Sequence, residues 1–190
     1  MKKIVIFASG SGSNFEAIVK KLHGNICEVA LLFCDQADAY CLERAKKLGI
    51  ETLQLTLKDF ESKVVDAKIA YEEEIIENLE TINPDLIVLA GYMKIVGKTL
   101  LCAYEGKIIN IHPSLLPAFP GRDGIGDALR YGVRVMGVTV HYVDAGVDTG
   151  KIIAQDCFKR EAGESFAESK ARIHAIEHEL YPQVITELLK

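Results

Sequence analysis

The sequence predicts an α/β fold, a Rossmann-like and mostly parallel sheet flanked by helices with an antiparallel strand addition in its carboxyl-terminal part, and three observations lead there. Short apolar runs of strand length alternate with longer amphipathic stretches, the pattern of βαβ units. The first run opens directly into a Gly/Ser-rich turn followed by a helical pattern, as in sheets that offer ligand loops at the carboxyl ends of their strands. The last two strand-like runs are joined by too short a loop for a crossover helix, so they add antiparallel.

The strands are expected at 3–8, 29–34, 51–55, 86–90, 107–112, 135–142 and 151–158. The clearest helices are expected over 14–22, over 37–48 with Gly49 closing it, and over 67–80. Near the carboxyl end Ser165 and Glu168 have capping-box spacing, and the helix they start should run to about Tyr181, where Pro182 kinks or restarts it. No internal repeat is visible.

At 190 residues, 49% hydrophobic and 26% charged, the chain can bury one substantial core, and a single domain over 1–190 is expected. A formal net charge of −5 argues against a nucleic-acid partner. No apolar stretch reaches the length of a membrane helix, and the Met1-Lys2-Lys3 start precedes too short an apolar run for a signal peptide, so a cytoplasmic protein without a membrane partner is expected. Cys27, Cys34, Cys41, Cys102 and Cys157 are odd in number and lack metal-type spacing, which reads as reduced core thiols and no metal site. The Glu72-Glu73-Glu74 run reads as a solvated helix face, and His174 with His178, four apart, as a solvated or substrate-adjacent one.

Three stretches carry chemistry. Ser9-Gly10-Ser11-Gly12-Ser13-Asn14 offers backbone N–H groups, hydroxyls and a helix amino terminus to an anion, and suits a single phosphate. A dinucleotide fingerprint would need glycine where Phe15 stands, although Asp35 mimics its ribose-binding acid. The same loop also reads as a tight turn with Ser13 or Asn14 capping the helix.

In Ile108-Ile109-Asn110-Ile111-His112-Pro113 the period of two sets Asn110 and His112 on one face, with Pro113 ending the ladder at the sheet's carboxyl edge. An amide donor beside an imidazole serves acyl transfer, one holding a developing oxyanion and the other handling protons. Thr139 to Gly150 runs from a strand with His141 into a loop with two carboxylates, and either Asp144 or Asp148 could orient His112.

The first loop, Ala90-Gly91-Tyr92-Met93-Lys94, Asn110-Ile111-His112-Pro113-Ser114-Leu115-Leu116-Pro117 and His141 to Gly150 together resemble the glycinamide ribonucleotide formyltransferases, over essentially the whole chain. The Asn-x-His-Pro-Ser-Leu-Leu-Pro stretch is shared with other 10-formyltetrahydrofolate enzymes, while the first loop points to the acceptor. The resemblance implies formyl transfer from 10-formyltetrahydrofolate to the amine of phosphoribosylglycinamide, with Asn110, His112 and Asp148 catalytic and Asp144 the lesser candidate. It implies that Gly12, Ser13 and Asn14 hold the phosphate with help from Lys68, and that Glu177 meets the ribose or glycinamide portion. It further implies that Met93, Lys94, Ile95 and Val96 contact the folate together with Asn110 and Asp144, and that 1–105 binds the phosphoribosyl substrate while 106–190 carries catalysis and folate binding. Small-molecule substrates and a monomer or homodimer complete the expectation. Arg122-Asp123-Gly124 and His174 depart from many relatives. The rival functions are a hydrolase acting on 10-formyltetrahydrofolate and a non-catalytic nucleotide-binding module.

Overall fold

The computed structural model describes residues 1–61 and 65–190. Strand β1 (Lys3–Ala8) is apolar after its first residue; Ile4, Ile6 and Ala8 face one side of the sheet and Val5 and Phe7 the other. Both faces therefore need helical cover, which is why the run reads as continuously hydrophobic. With β2 (Glu28–Cys34), β3 (Thr52–Gln54), β4 (Leu86–Leu89), β5 (Ile108–His112), β6 (Val135–Tyr142) and β7 (Ile152–Lys159) it forms one seven-stranded sheet in the order β3-β2-β1-β4-β5-β6-β7. The pairs from β3 to β5 are parallel, whereas β6 runs antiparallel to β5 and β7 antiparallel to β6.

Helices α1 (Ser13–Leu22), α2 (Tyr40–Leu48), α6 (Gly124–Tyr131) and α7 (Phe166–Leu188) contribute to the core on one face; α4 (Ala67–Glu80) and α5 (Lys98–Ala103) cover the other. The short α3 (Lys58–Glu61) precedes α4. The chain leaves β1 toward β2 and β3, then returns to the opposite side of β1 as β4. The loops after β1 and β4 thus part at the reversal of strand order, where open α/β sheets leave a crevice. They are tied there by Ser9 N–H to Gly91 O at 3.1 Å and Met93 N–H to Ser9 Oγ at 2.9 Å.

Four expectations need correction. Helix α2 begins at Tyr40 rather than Ala37, because Ala39 is extended and the first-turn N–H of Cys41 bonds to Gly10 O at 3.0 Å. Helix α7 continues through Pro182 to Leu188. Proline removes the hydrogen bond to the carbonyl four residues earlier, and that carbonyl, His178 O, accepts instead from Lys21 Nζ at 2.9 Å. Glu72 is not solvated: it is 4% exposed and accepts from the N–H groups of Gly97 and Leu100, capping α5 across the structure. Of the five free thiols Cys27, Cys34 and Cys41 are buried, but Cys102 and Cys157 are exposed, one near the end of a short surface helix and the other on the edge strand. The capping box at Ser165 and Glu168 is present.

Candidate active site

Gly12 precedes α1 in the left-handed region, with φ 71° and ψ 26°. A Cβ there would stand 2.6 Å from Cys41 Cβ, so only glycine lets the loop lie this close to α2. No side chain caps α1; Asn14 turns away, and its Nδ2 donates to Glu177 Oε2 at 3.0 Å. The first-turn N–H groups have no acceptor within the helix. A left-handed residue followed by helical ones also gathers amides into a concave anion nest.

At the end of β5, antiparallel register sets Asn110 opposite His141 of β6. His141 Nδ1 lies 2.9 Å from Tyr142 O, an acceptor, so Nδ1 carries its hydrogen and Nε2 is left to accept from Asn110 Nδ2 at 3.2 Å. One amide hydrogen of Asn110 is thereby committed to His141 and the other remains for a ligand. His112 is 4% exposed; its Nε2 donates to Phe119 O at 2.8 Å while Nδ1 stands 3.4 Å from Asp148 Oδ2. A second proton on the ring would thus find its counter-charge in place.

Asp148 spans both imidazoles, its Oδ1 lying 3.6 Å from His141 Nε2 and its Oδ2 accepting from Gly121 N–H at 2.8 Å. Burial pushes its carboxyl upward, but the Gly121 N–H and the positive charge that the adjacent imidazoles can carry hold it below the usual carboxylate range. Asp148 and Phe119, which both fix His112, are non-glycine residues at φ 54° and 56°. Backbone conformations of this kind persist only where surrounding contacts enforce them. Asp144, by contrast, bonds within its own turn, to Gly146 N–H at 3.0 Å and Thr149 Oγ1 at 2.7 Å.

These residues line one cavity of about 860 Å³ whose walls include Gly12 to Asn14, Met93 to Val96, Asn110, His112, Asp144, Asp148 and Glu177. That is toward the upper end of the small-molecule range, roughly 300–1,000 Å³, and enough for two modest substrates side by side. In the same lining Val96, Ile75 and Leu100 are buried, while Met93 and Ile95 are exposed. Lys94 reaches Asp35 of the second strand's loop, Nζ to Oδ2 at 3.8 Å, so the supposed ribose acid already has a partner. Lys68 also lines the cavity but lies against Gly97, beside the 93–96 wall. Glu177 is 4% exposed and accepts from both Asn14 and His174 through Oε2. His174 thus lines the same cavity.

The sequence alone gave no role to His141, Glu72 or Tyr71, all of which line the cavity. His141 was visible as a second histidine, but its place opposite Asn110 depends on the register of an antiparallel pair that joins distant segments. Among the described residues no group of three or more His, Cys, Asp or Glu could hold a metal ion, and no helix is long and apolar enough to cross a membrane.

Residues 2–185 match the formyl transferase family. The chain is 51% identical over 191 residues to the phosphoribosylglycinamide formyltransferase of Bacillus subtilis, covering 100% of this chain and 95% of that protein. Among solved structures it is similar to the glycinamide ribonucleotide transformylase 1 of Geobacillus kaustophilus, with TM-score 0.93, 51% identity and 100% of each chain covered. It is likewise similar to the phosphoribosylglycinamide formyltransferase of Streptococcus pneumoniae, with TM-score 0.92, 49% identity and 100% of each chain covered.

Proposed function

The chain belongs to the formyl transferase family, and we propose that it moves the formyl group of 10-formyltetrahydrofolate onto the amine of phosphoribosylglycinamide, giving N-formyl-phosphoribosylglycinamide and tetrahydrofolate in de novo purine biosynthesis. It is a folate-dependent formyltransferase, with the folate as co-substrate. The observation that carries the site assignment is the meeting of Asn110, His112 and Asp148 in the lining of one cavity that also takes in the amide-rich loop Ser9 to Asn14.

The acceptor amine attacks the formyl carbon as a neutral nucleophile, and the carbonyl electrons move onto oxygen. Asn110 donates its uncommitted amide hydrogen to that oxyanion. His112 joins as a second donor when its Nε2 exchanges Phe119 O for the substrate oxygen, with Asp148 balancing the charge on the ring. The amine proton passes toward the leaving nitrogen of the folate through Asp148, directly or by a water, and the tetrahedral carbon collapses with release of tetrahydrofolate. No bond to the enzyme forms.

The phosphate is taken by the amides of Gly12, Ser13 and Asn14. Lys68 adds positive charge to the cavity, Glu177 takes hydroxyl or amide hydrogens of the acceptor, and the apolar wall Met93 to Val96 takes the pterin with Asn110 and Asp144 nearby. On this reading 1–105 is mainly the acceptor half and 106–190 mainly the catalytic half of a single domain, although Glu177 crosses that division. The protein acts in the cytoplasm on small molecules, as a monomer or homodimer, with no nucleic acid or membrane partner.

The test mixes purified protein with 10-formyltetrahydrofolate, with and without phosphoribosylglycinamide, and follows the absorbance of the deformylated product. Product only in the presence of the acceptor supports the transferase. Formate release without acceptor would make it a hydrolase, and no product in either mixture would reject both.

A further inference from the structure

We infer that Arg44 of α2 is a positioning residue for the acceptor's phosphate, acting through the first loop rather than by touching the ligand. The inference rests on the reading of that loop as the phosphate site.

Three successive carbonyls of the loop are taken up on the side away from the cavity. Gly10 O accepts from Cys41 N–H at 3.0 Å, Ser11 O from Arg44 Nε at 2.8 Å, and Gly12 O from Glu16 N–H at 2.9 Å. Peptide planarity makes each carbonyl point opposite to the N–H of the next residue. Fixing the carbonyls of residues 10 to 12 therefore aims the amides of 11 to 13 the other way. The middle contact is the one made by a side chain, and hence the one a substitution removes without breaking a helix.

The guanidinium is itself held firmly. Its Nη1 pairs with Glu16, and its Cζ lies 4.9 Å from the centroid of the Tyr40 ring, so the fork is fixed before any ligand arrives. Arg44 is half-buried and sits over Gly12, where a Cβ would come within 3.6 Å of its Cδ. Glu16, which also pairs with Lys20, offsets part of its charge, so Arg44 contributes direction to the loop amides more than charge. Its loss should raise the acceptor's KM while sparing kcat and the folate.

Steady-state kinetics of R44M, R44K and S13D test this with both substrates varied. For R44M the acceptor KM is expected to rise about tenfold with kcat and the folate KM within about twofold, and for R44K, which can still donate to Ser11 O, to rise only about threefold. S13D reports on the phosphate reading itself, since a carboxylate in the loop repels the ligand. A raised acceptor KM in S13D with an unchanged one in R44M would overturn the role of Arg44 and leave the phosphate site standing. Unchanged values in both would remove the phosphate site and this inference with it. A parallel loss of kcat and of both affinities in R44M, unrelieved in R44K, would mark a general packing defect and overturn the inference. If R44M does not fold, R44Q, whose shorter side chain cannot reach Ser11 O, takes its place, and an acceptor KM that fails to rise by about threefold there would overturn the inference equally.

Discussion

Asp148 Oδ2 stands 3.4 Å from Nδ1 of His112, while the ring's other nitrogen is held at 2.8 Å by the carbonyl of Phe119. The imidazole is therefore gripped at both ends, by one carboxylate and one neutral acceptor. Asp148→Asn keeps the shape but removes the counter-charge for a protonated ring. Its kcat should fall by about 10²-fold or more, with both KM values changing by less than about threefold. A kcat close to wild type would remove Asp148 from the proton path.

The same carboxyl sets a pH dependence of stability. Its folded value lies below the ordinary 3.8, so between the two values the unfolded chain binds more protons than the folded one. The contribution of Asp148 is therefore complete above the ordinary carboxylate value and is lost as the pH falls through the lower folded one. In urea unfolding, any stability advantage of wild type over Asp148→Asn should be constant down to about pH 5 and shrink below it. An advantage that grew with acidity would contradict the assignment.

Asn110 presents one amide hydrogen to His141 and leaves the other for an oxyanion. Asn110→Ala should lower kcat by about 10²–10³-fold, the usual cost of losing one such donor, with little change in acceptor KM. Substitution of His141 by Gln, which can still accept from Asn110, should cost far less than substitution by Leu. Equal losses in both would mean that His141 acts otherwise than by orienting the amide.

What was legible in the sequence was legible for local reasons. The alternation in Ile108 to His112 places Asn110 and His112 on one face without knowledge of any other strand, and the Gly/Ser turn after β1 declares its amides by composition. What stayed hidden depends on partners far along the chain. Helix α6 begins Gly-Ile-Gly, residues of poor helical propensity, and is held by the Asp123 cap on Gly126 N–H and by burial of Ile125 and Ala128. Pro182 looks like a kink or a restart until Lys21, more than a hundred and fifty residues away, takes up the orphaned carbonyl of a helix that runs on to Leu188. Glu72 in an acidic run looks solvated until α5 is folded against it.

That buried carboxylate yields a further expectation. Glu72 anchors the start of α5, directly after the wall formed by Met93 to Val96. Glu72→Ala leaves the N–H groups of Gly97 and Leu100 without acceptors in a buried place and should destabilise the fold by about 2–4 kcal/mol. In calorimetry the melting temperature should drop, and in kinetics the folate KM should rise more than the acceptor KM. A rise confined to the acceptor would dissociate the 93–96 wall from the folate.

Two glycines of the first loop give opposite expectations. Gly12 combines a left-handed backbone with a direct approach to α2, its missing Cβ falling 2.6 Å from Cys41 Cβ and 2.9 Å from Cys41 Cα. The conformation alone costs a non-glycine residue about 1–2 kcal/mol, and forcing the overlap adds roughly 1–3 kcal/mol. Relief can come only by moving α2 away or turning the loop, and either breaks the alignment of its amides. Gly12→Ala should therefore lower stability by about 2–5 kcal/mol and raise the acceptor KM well beyond any change in folate KM. Gly10 has open space where a Cβ would go, with nothing within 4 Å, so Gly10→Ala should leave stability within about 1 kcal/mol of wild type. Chemical unfolding of the two variants side by side decides the matter, because equal tolerance at both positions would mean that the loop does not depend on its contact with Cys41.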